Sequence, residues 1–439
     1  MFLEDYLKRN AENLSDKVAV KCGSEQLTYQ QLYGAVVERA GQLQEKYGNV
    51  SSRIVAFRAS QSIDFLVEYF AIHLSHHVAM PLEKGMSDAL FFQYQEIAAK
   101  ASVPNGTADV LFTTGTTGKS KGVIISHRTI IANAENLIER QGFHQDMTFL
   151  ICGPLNHIGS LSKIYPIILV GGSLVILEGM KDLSAFFRCM DEALGKVATF
   201  LVPSSISMLL ALGKRQLVQC ADKIELIETG AAAITQGCMQ QLCAILPHTR
   251  LFNTYASTET GIIASFDYNQ GECLAGCLGT PMRHSSLEIS EEGCVLCGGD
   301  TLMSGYLNAD ELTASVFRNG KILTKDLGEL DEKGRLHLLG RDDDIVNVGG
   351  FKVNPLEVEN VVMSYPAIAD CICITFEHPV LGTALKLLYV LKPEADFQLR
   401  PFAKFLQKQL EPYKVPQRFE LVARIERTYN GKLNRKFYK

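Results

Sequence analysis

A loop rich in Gly, Thr, Ser and Lys lies between Leu111 and Val123. Glycines let the backbone approach a ligand closely, hydroxyls and exposed amides donate hydrogen bonds, and lysines add positive charge. The mostly apolar run 109–112 before the loop predicts a buried strand, and 127–140 after it has helical spacing. We therefore expect the loop to bind a polyphosphate, with the amino end of the following helix facing the anion.

The loop differs from the P-loop of nucleotide hydrolases, which needs Gly, four residues, and then Gly-Lys-Ser or Gly-Lys-Thr. Counting back from Gly118-Lys119-Ser120, Thr113 takes the place of the first glycine. A polar surface turn is the remaining alternative, although such turns seldom combine so many Gly, Thr and Lys residues. The composition favours a phosphate-binding loop of a different type.

The composition limits the class of protein. A chain of 439 residues is long enough for a large core and more than one domain. An apolar content of 47% and a charged content of 21% are typical of a soluble globular protein. The net charge of −5 argues against a general nucleic-acid-binding role. We expect no membrane span and no secretory signal, and hence a cytoplasmic enzyme.

Twelve cysteines in such a chain are expected to be reduced thiols. Four of them, Cys273, Cys277, Cys294 and Cys297, have a spacing close to that of a structural zinc site. However, 294–297 also has the pattern of a buried strand flanked by glycines, and free cysteine is a common small core residue. Structural zinc and ordinary core packing are both open interpretations.

Apolar strand-like runs alternate with amphipathic helical segments through the first three quarters of the chain. This alternation predicts an α/β fold of layered, largely parallel sheets and helices. The acidic cluster 342–344 then precedes a smaller unit of mixed strands and helices. We therefore predict a large N-terminal domain, residues 1–342, and a smaller α+β C-terminal domain, residues 343–439. A charged surface turn within one domain is the alternative explanation of the cluster.

Further motifs follow the phosphate loop in a distinctive order. They are Pro154-Leu-Asn-His157, Thr229-Gly-Ala-Ala232, Asn253-Thr-Tyr-Ala-Ser-Thr-Glu259, Met303-Ser-Gly-Tyr306, Thr324-Lys-Asp-Leu-Gly328, Gly340-Arg-Asp-Asp-Asp344 and Tyr429-Asn-Gly-Lys432. In this order and spacing the chain resembles the adenylate-forming superfamily, which includes acyl- and aryl-CoA synthetases, the adenylation domains of peptide synthetases and firefly luciferase. The resemblance implies that ATP and a carboxylic acid form an acyl adenylate and pyrophosphate, and that a thiol then displaces AMP.

The resemblance implies a nucleotide site built from several motifs. The loop residues would enclose the β- and γ-phosphates of ATP: Thr113, Thr114, Gly115, Thr116, Thr117, Gly118 and Lys119. Tyr255 would lie against the adenine, which the backbone of Gly230 and Ala231 would border. Asp326 would accept hydrogen bonds from both ribose hydroxyls, with Arg341 close by.

The chemical step needs cations and preorganised donors, because two anions meet and charge develops on phosphorus. The resemblance implies that Lys432 bridges the α-phosphate and the substrate carboxylate, with Thr258 near the α-phosphate. Glu259 would hold Mg²⁺ as an oxygen ligand. Together with His157 of the acid pocket, these are the candidate catalytic residues. Taken singly, Lys432 would be interpreted as a solvated surface charge, and its place in the motif series reverses that interpretation.

The resemblance also implies a moving C-terminal domain, joined to the large domain by a hinge at Asp343. One orientation would present Lys432 to ATP, and the other would present Gly349 and Gly350 to the incoming pantetheine thiol. Lys352, in a string similar to that of acetate-type acyl-CoA synthetases, would replace an arginine near the AMP phosphate.

The acid pocket implied by the resemblance has small residues and scattered hydroxyls, which favour an aryl or modest acyl acid. Its lining is His157, Ser160, Ser204, Ser205, Ala256 and Ser257. Amino-acid-activating relatives place an aspartate at the position of His157, and burying an unpaired ammonium is costly, so an α-amino acid is disfavoured. A histidine that only packs against backbone is the alternative role for His157.

The sequence departs from the family pattern in three places. Ser120 stands where the loop usually has proline, and Ala256 stands where glycine is usual, so that its methyl group narrows the pocket. The region between Pro81 and the loop is shorter than in most relatives, and short o-succinylbenzoate-CoA ligases share this shortened region.

Three functions are compatible with these motifs. The first is an acid:CoA ligase that uses ATP, Mg²⁺ and CoA on a small-molecule carboxylic acid. The second is an enzyme that loads the phosphopantetheine of an acyl carrier protein, because that thiol arm is chemically the same. The third is a nucleotide-binding protein without turnover, which the retention of Glu259, Asp326 and Lys432 disfavours. No oligomeric state is predicted.

Overall fold

The computed structural model describes residues 1–48, 52–113, 120–379, 382–427 and 433–438. The helices of these ranges are α1 Leu3–Asn13, α2 Tyr29–Tyr47, α3 Ile63–Leu74, α4 Asp88–Lys100, α5 His127–Gln141, α6 Ile158–Val170, α7 Leu183–Glu192, α8 Pro203–Leu212, α9 Lys214–Gln219, α10 Gln236–Ile245, α11 Asp310–Val316, α12 Pro355–Met363 and α13 Leu399–Gln409.

The strands of the described residues are β1 Val18–Cys22, β2 Glu25–Thr28, β3 Ile54–Ala59, β4 Val78–Glu83, β5 Thr107–Thr113, β6 Lys121–Ser126, β7 Met147–Ile151, β8 Ser173–Ile176, β9 Lys196–Leu201, β10 Ile224–Thr229, β11 Arg250–Ser257, β12 Gly261–Asp267, β13 Cys277–Pro281, β14 Ser285–Ile289, β15 Cys294–Gly299, β16 Gly305–Tyr306, β17 Phe317–Arg318, β18 Lys321–Leu330, β19 Leu336–Arg341, β20 Val346–Val348, β21 Phe351–Val353, β22 Ile368–His378, β23 Gly382–Leu391 and β24 Arg418–Leu421.

A run of parallel strands forms the centre of the large sheet. The order of that sheet is β14-β15-β18-β19-β13-β12-β11-β10-β9-β7-β8-β1-β2, with β17 paired to β18. Neighbours from β11 to β1 are parallel, whereas the outer pairs are antiparallel. Strands β7 and β8 are buried along their whole length, as expected where helices cover both faces of a parallel sheet.

A second sheet carries the strands that flank the phosphate loop. Its order is β16-β6-β5-β4-β3, in which β3, β4 and β5 run parallel and β6 and β16 run antiparallel to their neighbours. The prediction of largely parallel sheets is therefore right only for the run from β11 to β1 in the large sheet and for β3, β4 and β5 in the second sheet. The chain between β5 and β6 is too short for a parallel crossover, so β6 must return antiparallel.

Helices fill the space between the sheets and cover the outer face of the large one. Residues of α1, α2, α3, α5 and α6 share one core with strands of both sheets. Residues of α7, α8, α9 and α10 form a second core against the parallel strands. This layered arrangement confirms the predicted α/β class of the large domain.

The smaller C-terminal domain has its own core, built from α12, α13 and the sheet of β22, β23 and β24. The α+β character predicted for this domain is confirmed. Asp342–Asp344 form a 3-10 turn between β19 and β20, at the predicted boundary. In the part of the chain that the structure describes, every helix is too short or too polar to span a bilayer.

Candidate active site

The carboxyl ends of neighbouring parallel strands bring several predicted site residues to one edge of the large sheet. The carboxyl ends of parallel strands meet at the same edge, which is where α/β proteins bind ligands. The segments that follow β7, β9 and β10 carry these residues: His157, Ser160, Ser204, Ser205, Gly230 and Ala231. Strand β11 ends at the same edge with Tyr255, Ala256 and Ser257.

The turn after β10 is shaped by close packing. A Cβ atom at Gly230 would lie 3.1 Å from the carbonyl oxygen of Thr254 and 3.4 Å from the ring of Phe200. The same ring would lie 3.1 Å from a Cβ atom at Gly159. Ala231 follows with φ of +67°, a left-handed conformation that residues other than glycine seldom adopt. The predicted adenine border is therefore a strained turn packed against an aromatic ring.

The carboxylate of Asp326 is oriented by two donors. The hydroxyl of Tyr255 donates to Oδ2 at 2.7 Å, and Nη1 of Arg341 donates to Oδ1 at 3.2 Å. Asp326 and Arg341 face each other in the register of β18 and β19. Burial and the neighbouring carboxylate raise the pKa of Tyr255 well above its ordinary value, so the hydroxyl remains a donor. Each carboxylate oxygen has two lone pairs, which leaves acceptor capacity for the predicted ribose contact.

Asp343 lies beside this cluster. Its Oδ1 is 3.1 Å from Nε of Arg341, and its Oδ2 is 3.3 Å from Nζ of Lys325. Burial alone would raise the pKa of Asp343, but the two cations outweigh burial and lower it. The role of Asp343 as a hinge stays a prediction, and the contacts tie it to the guanidinium that also holds Asp326.

Strand pairing places Glu259 beside the two strands, β5 and β6, that flank the phosphate loop. The hydroxyl of Tyr306 donates to its Oε1 at 3.1 Å, and burial together with Glu259 raises the pKa of that hydroxyl. Tyr306 pairs with Val123 on β6, and Lys121 at the start of β6 pairs with Thr113. Nζ of Lys121 lies 5.2 Å from the centre of the Tyr306 ring. An oriented carboxylate in this position fits the oxygen ligand that Mg²⁺ requires.

Tyr306 and Lys121 were not assigned roles from the sequence. Tyr306 ends the quoted motif Met303-Ser-Gly-Tyr306, and Lys121 follows the phosphate loop directly. Both signals were present, but the contact with Glu259 depends on the pairing of β16 with β6, which the sequence pattern does not specify.

The prediction that the amino end of α5 faces the anion is wrong. Strand β6 separates the loop from the helix and returns along β5, with Lys121 opposite Thr113. At about 3.4 Å per residue, this strand carries the start of the helix roughly 17 Å from the loop. The amide of His127 instead donates to the carbonyl of Gly106 at 3.0 Å. The start of this helix is therefore too far from the described ends of the loop to donate to an anion there.

Most of the phosphate loop and the candidate catalytic lysine lie outside the described residues. These are Thr114, Gly115, Thr116, Thr117, Gly118, Lys119 and Lys432. At the described edges of the loop, the hydroxyl of Ser120 donates to the carbonyl of Thr113 at 3.0 Å. Arg427 and Leu433, on either side of the lysine segment, form an antiparallel bridge. The functions of both segments stay predictions.

The acid-pocket candidates occupy helix starts and a turn. His157 caps α6, and its carbonyl accepts the amides of Ser160 and Leu161. Ser204 and Ser205 lie in the first turn of α8 and are partly exposed. The side chains of Ala256, Ser257 and Thr258 were predicted to face ligand. In the structure Ala256 is exposed, and Ser257 and Thr258 are partly exposed. The Ser257 hydroxyl also accepts the amide of Thr260 at 3.0 Å.

The two glycines predicted to meet the thiol form a hairpin turn. Gly349 and Gly350 have φ of +56° and +94° and connect β20 to β21. Two successive residues with positive φ are what a two-residue hairpin requires. The amide of Gly350 donates to Oδ1 of Asn347 at 2.8 Å, and Lys352 is exposed on β21. The turn geometry accounts for the glycines, while their contact with a thiol stays a prediction.

A buried ion pair behind the acid pocket was missed. Nζ of Lys163 on α6 lies 2.8 Å and 2.7 Å from the two carboxylate oxygens of Glu228 on β10. The side chains are only 2% and 1% exposed. Burial lowers the pKa of Lys163, and Glu228 opposes that shift. Nζ also lies 5.3 Å from the centre of the Phe200 ring. The position of Glu228 directly before the Thr229-Gly motif was the available signal.

The zinc interpretation of the four cysteines is not supported. Among the described residues, which include all four, their sulfurs do not form a group that could share one metal ion. Cys277 and Cys297 are buried in β13 and β15, and burial raises the pKa of both thiols. Core packing explains the cysteines of these strands.

Comparison with sequence families gives two matches. The family model described as "AMP-binding enzyme" matches residues 90–307, and the one described as "AMP-binding enzyme C-terminal domain" matches residues 357–432. Together they cover well over half of the chain. The second match coincides with the smaller domain of the structure.

Curated relatives include two ligases of the same name. A 2-succinylbenzoate–CoA ligase of Staphylococcus aureus (strain JH9) is 28% identical over 75% of this chain. The chain spans only 66% of the length of that relative, just under two thirds. A 2-succinylbenzoate–CoA ligase of Bacillus cereus (strain AH820) is 24% identical over 99% of this chain and 97% of the relative.

Two solved structures share the fold along nearly the whole chain. ATP-bound MatB from Rhodopseudomonas palustris has a TM-score of 0.88 at 23% identity, covering 100% of this chain and 99% of the other. The o-succinylbenzoate CoA synthetase MenE from Bacillus subtilis, in complex with OSB-AMP, has a TM-score of 0.85 at 21% identity, covering 99% and 97%. The predicted family and fold are confirmed, and the chain belongs to the AMP-binding enzymes of the adenylate-forming superfamily.

Proposed function

We propose that the protein joins a carboxylic acid to AMP from ATP, releasing pyrophosphate, and then transfers the acyl group to the thiol of CoA. The observation that carries the proposal is a pair of carboxylates that are each oriented by a tyrosine hydroxyl. Asp326 is held by Tyr255 and Arg341, and Glu259 is held by Tyr306. Tyr255 and Glu259 belong to one motif at the end of β11, so the ribose and metal contacts are fixed relative to each other.

In the first step, a carboxylate oxygen of the acid attacks the α-phosphorus, and the bond to the β-phosphate breaks. Asp326 holds the ribose, while the loop residues after Thr113 and the cation of Lys432 offset the charge on the phosphates. Glu259 would hold Mg²⁺, which would supply further positive charge beside the phosphates when bound. The hydroxyl of Thr258 donates to the α-phosphate.

In the second step, the thiolate sulfur of CoA attacks the acyl carbon, and AMP leaves with the electron pair of the broken bond. The C-terminal domain, residues 343–439, rotates about Asp343 between the steps, so that the Gly349-Gly350 turn meets the pantetheine arm in place of Lys432. Asp343 forms salt bridges with Arg341 and Lys325. These two salt bridges support a hinge that electrostatic attraction holds in one resting position.

The proposed acid is an aromatic carboxylic acid, with 2-succinylbenzoate as the first to test. Both curated relatives described above carry the name of that activity, and they support the choice. The pocket edge offers the flat ring of Phe200 beside two glycines and the hydroxyls of Ser204 and Ser205. We place the reaction in the cytoplasm, in keeping with the twelve free cysteines of the chain.

A substrate panel tests the proposal. Pyrophosphate release is measured with ATP, Mg²⁺ and 2-succinylbenzoate, benzoate, anthranilate or malonate, and the thioester product is assayed with CoA and separately with a holo-carrier protein. We expect release with an aromatic acid and a CoA thioester. Transfer only to the carrier would favour the loading enzyme, and binding of ATP without release for any acid would contradict the proposal.

A variant pair connects the activity to the site. Asp326→Asn replaces the carboxylate by an amide whose NH₂ group cannot accept from ribose, so we expect adenylation to fall at least about tenfold. Glu329→Gln makes the same change at an exposed position of the same strand and should leave the rate unchanged. Equal rates in the two variants would contradict the assignment of Asp326.

A further inference from the structure

Three side chains outside the active-site residues bring metal-binding atoms together. Glu4 on α1, His73 on α3 and His127 at the start of α5 each offer one ligand atom, and these atoms lie within 4.8 Å of one another. Among the described residues, this is the one such group of three or more His, Cys, Asp or Glu side chains. The three residues are far apart in sequence, so the tertiary fold alone creates the cluster.

Each of these side chains carries an unpaired atom that faces away from solvent. Oε2 of Glu4, Nδ1 of His73 and Nδ1 of His127 are shielded from water and have no hydrogen-bond partner in the described part of the chain. The Glu4 and His73 residues are only 6% and 1% exposed. Buried polar atoms are nearly always paired, because an unpaired one loses the hydrogen bonds that water gave it. Three unpaired ligand atoms in one place indicate a missing partner.

The ring of His73 is held as in a metal site. Its Nε2 lies 3.0 Å from Oδ1 of Asp109, and the hydroxyl of Tyr69 donates to Oδ2 of the same carboxylate at 2.9 Å. A histidine that donates one ring nitrogen to a carboxylate presents the lone pair of the other nitrogen to a metal. The Tyr165 hydroxyl, 3.5 Å from Oδ2, completes the surroundings of Asp109.

The local charges favour a cation at this point. The carboxylate of Asp109 is fully buried and contacts the ring of His73 at 3.0 Å, and the carboxylate of Glu4 belongs to the same cluster. Two buried carboxylates thus lie beside His73, where a positive charge would stabilise them.

We propose that Glu4, His73 and His127 bind one divalent transition-metal ion, with Zn²⁺ as the best match. Two imidazole nitrogens and one carboxylate oxygen are ligands that Zn²⁺ accepts, whereas Mg²⁺ and Ca²⁺ prefer oxygen alone. His127 also lines a surface cavity of about 270 Å³, together with Phe2.

The ion would join the N-terminal helix to the base of the phosphate loop. Asp109, which orients His73, lies on β5, the strand that ends at Thr113 where the loop begins. His127 follows β6, the strand that leaves the loop. The site therefore fixes α1 and α3 against the hairpin that presents the loop, and its role is structural.

Metal titration of the full chain tests the proposal. Protein without an affinity tag is stripped with EDTA and dialysed, then titrated with Zn²⁺ by calorimetry and with Co²⁺ by visible absorption. We expect one tightly held ion per chain, the visible bands of Co²⁺ bound by nitrogen and oxygen, and a Tm that rises by several degrees on loading. No binding would overturn the proposal, and a proton shared between His73 and the carboxylates would then explain the cluster.

Variants assign the ion to this site. Glu4→Gln and His127→Phe each remove one ligand, and the phenyl ring keeps the stacking of residue 127 on Phe2, whose ring centre lies 4.4 Å away. Both should lose the Co²⁺ bands and the rise in Tm, and either one suffices if the other fails to fold. His248→Phe, at an exposed histidine, and Glu259→Gln should keep them. Binding that survives in a folded Glu4→Gln or His127→Phe protein would overturn the assignment.

Discussion

Replacing Tyr255 by phenylalanine tests whether the orientation of Asp326 matters for nucleotide use. The change removes one hydroxyl and keeps the aromatic ring, which is only 6% exposed. The lost contact is a 2.7 Å hydrogen bond to a carboxylate. Hydrogen bonds to charged groups contribute about 1.5–3 kcal/mol, which corresponds to roughly 10- to 150-fold in a rate or binding constant. Arg341 still holds the other oxygen of Asp326, so we expect the lower half of that range.

The assay is pyrophosphate release at saturating acid with varied ATP, so that kcat/KM for ATP is measured. Tyr268→Phe is the matched control, because Tyr268 is 1% exposed and its hydroxyl has no hydrogen-bond partner within the described ranges. The same atom is removed from an equally buried ring, but no contact to a carboxylate is lost. We expect the control to keep the wild-type kcat/KM and to be as stable as the wild type or slightly more stable.

Two results would refute the reasoning. If both variants lowered kcat/KM for ATP equally, the effect would come from general loosening of the large sheet rather than from Asp326. If Tyr255→Phe changed kcat with no change in its dependence on ATP, the hydroxyl would act in the chemical step and not through the ribose. Urea unfolding of both variants separates loss of stability from loss of nucleotide binding.

Three further variants test other parts of the proposed enzyme. Lys163→Met leaves Glu228 buried without its cation, so it should destabilise the large domain by about 3–5 kcal/mol in urea unfolding. The double variant with Glu228→Leu should recover part of that lost stability. Lys432→Ala should abolish pyrophosphate release yet leave thioester formation from supplied acyl adenylate largely intact; loss of both half-reactions in a folded variant would contradict the two-orientation mechanism. The pKa of Asp343 is lowered in the folded state, so its charge adds stability above the ordinary Asp pKa, and that stability is lost as pH falls through the folded value. Asp343→Asn should therefore flatten the acid side of a stability profile measured by unfolding from neutral to acid pH.

The parts of the fold that the sequence predicts are those with a strong local pattern. Strands β7 and β8 are continuous apolar runs and are buried on both faces, so their place at the centre of a parallel sheet follows from composition. Helix α12 begins where the sequence has a start signal, because Asn354 caps it and Pro355 is its first residue. Local signals of this kind need no knowledge of the partner strand.

The errors came from pairing, which local patterns do not encode. The phosphate loop was taken to run to Val123 and no strand was assigned to 121–126, although its apolar residues Val123, Ile124 and Ile125 have the composition of a strand. Recognising β6 would have moved the helix start away from the anion. The buried pair of Lys163 and Glu228 was likewise missed, because each residue alone has the pattern of a surface charge, and only the position of Glu228 before the Thr229-Gly motif pointed to the site.

The proximity of Tyr255, Asp326 and Arg341 was expected only through the resemblance to a family. The register of β18 and β19 supplies the physical reason for one of these contacts, since it places Asp326 opposite Arg341. The other contact joins β11 to β18 across the large sheet, where β12, β13 and β19 lie between them in the strand order. A long tyrosine side chain therefore connects strands that do not pair.

The two sheets meet at Glu259, and each of them contributes to its position. The parallel sheet delivers Glu259 directly after β11, while the second sheet delivers Lys121 and Tyr306 through the pairing of β16 with β6. Since Thr113 and Lys121 face each other in β5 and β6, the phosphate loop must begin and end beside that carboxylate. The ends of the predicted phosphate loop and the predicted metal ligand are thus brought together by two separate sheets. A shift of β16 along β6 would change the register of the second sheet and separate Tyr306 from Glu259, so this short strand sets the contact that orients the carboxylate.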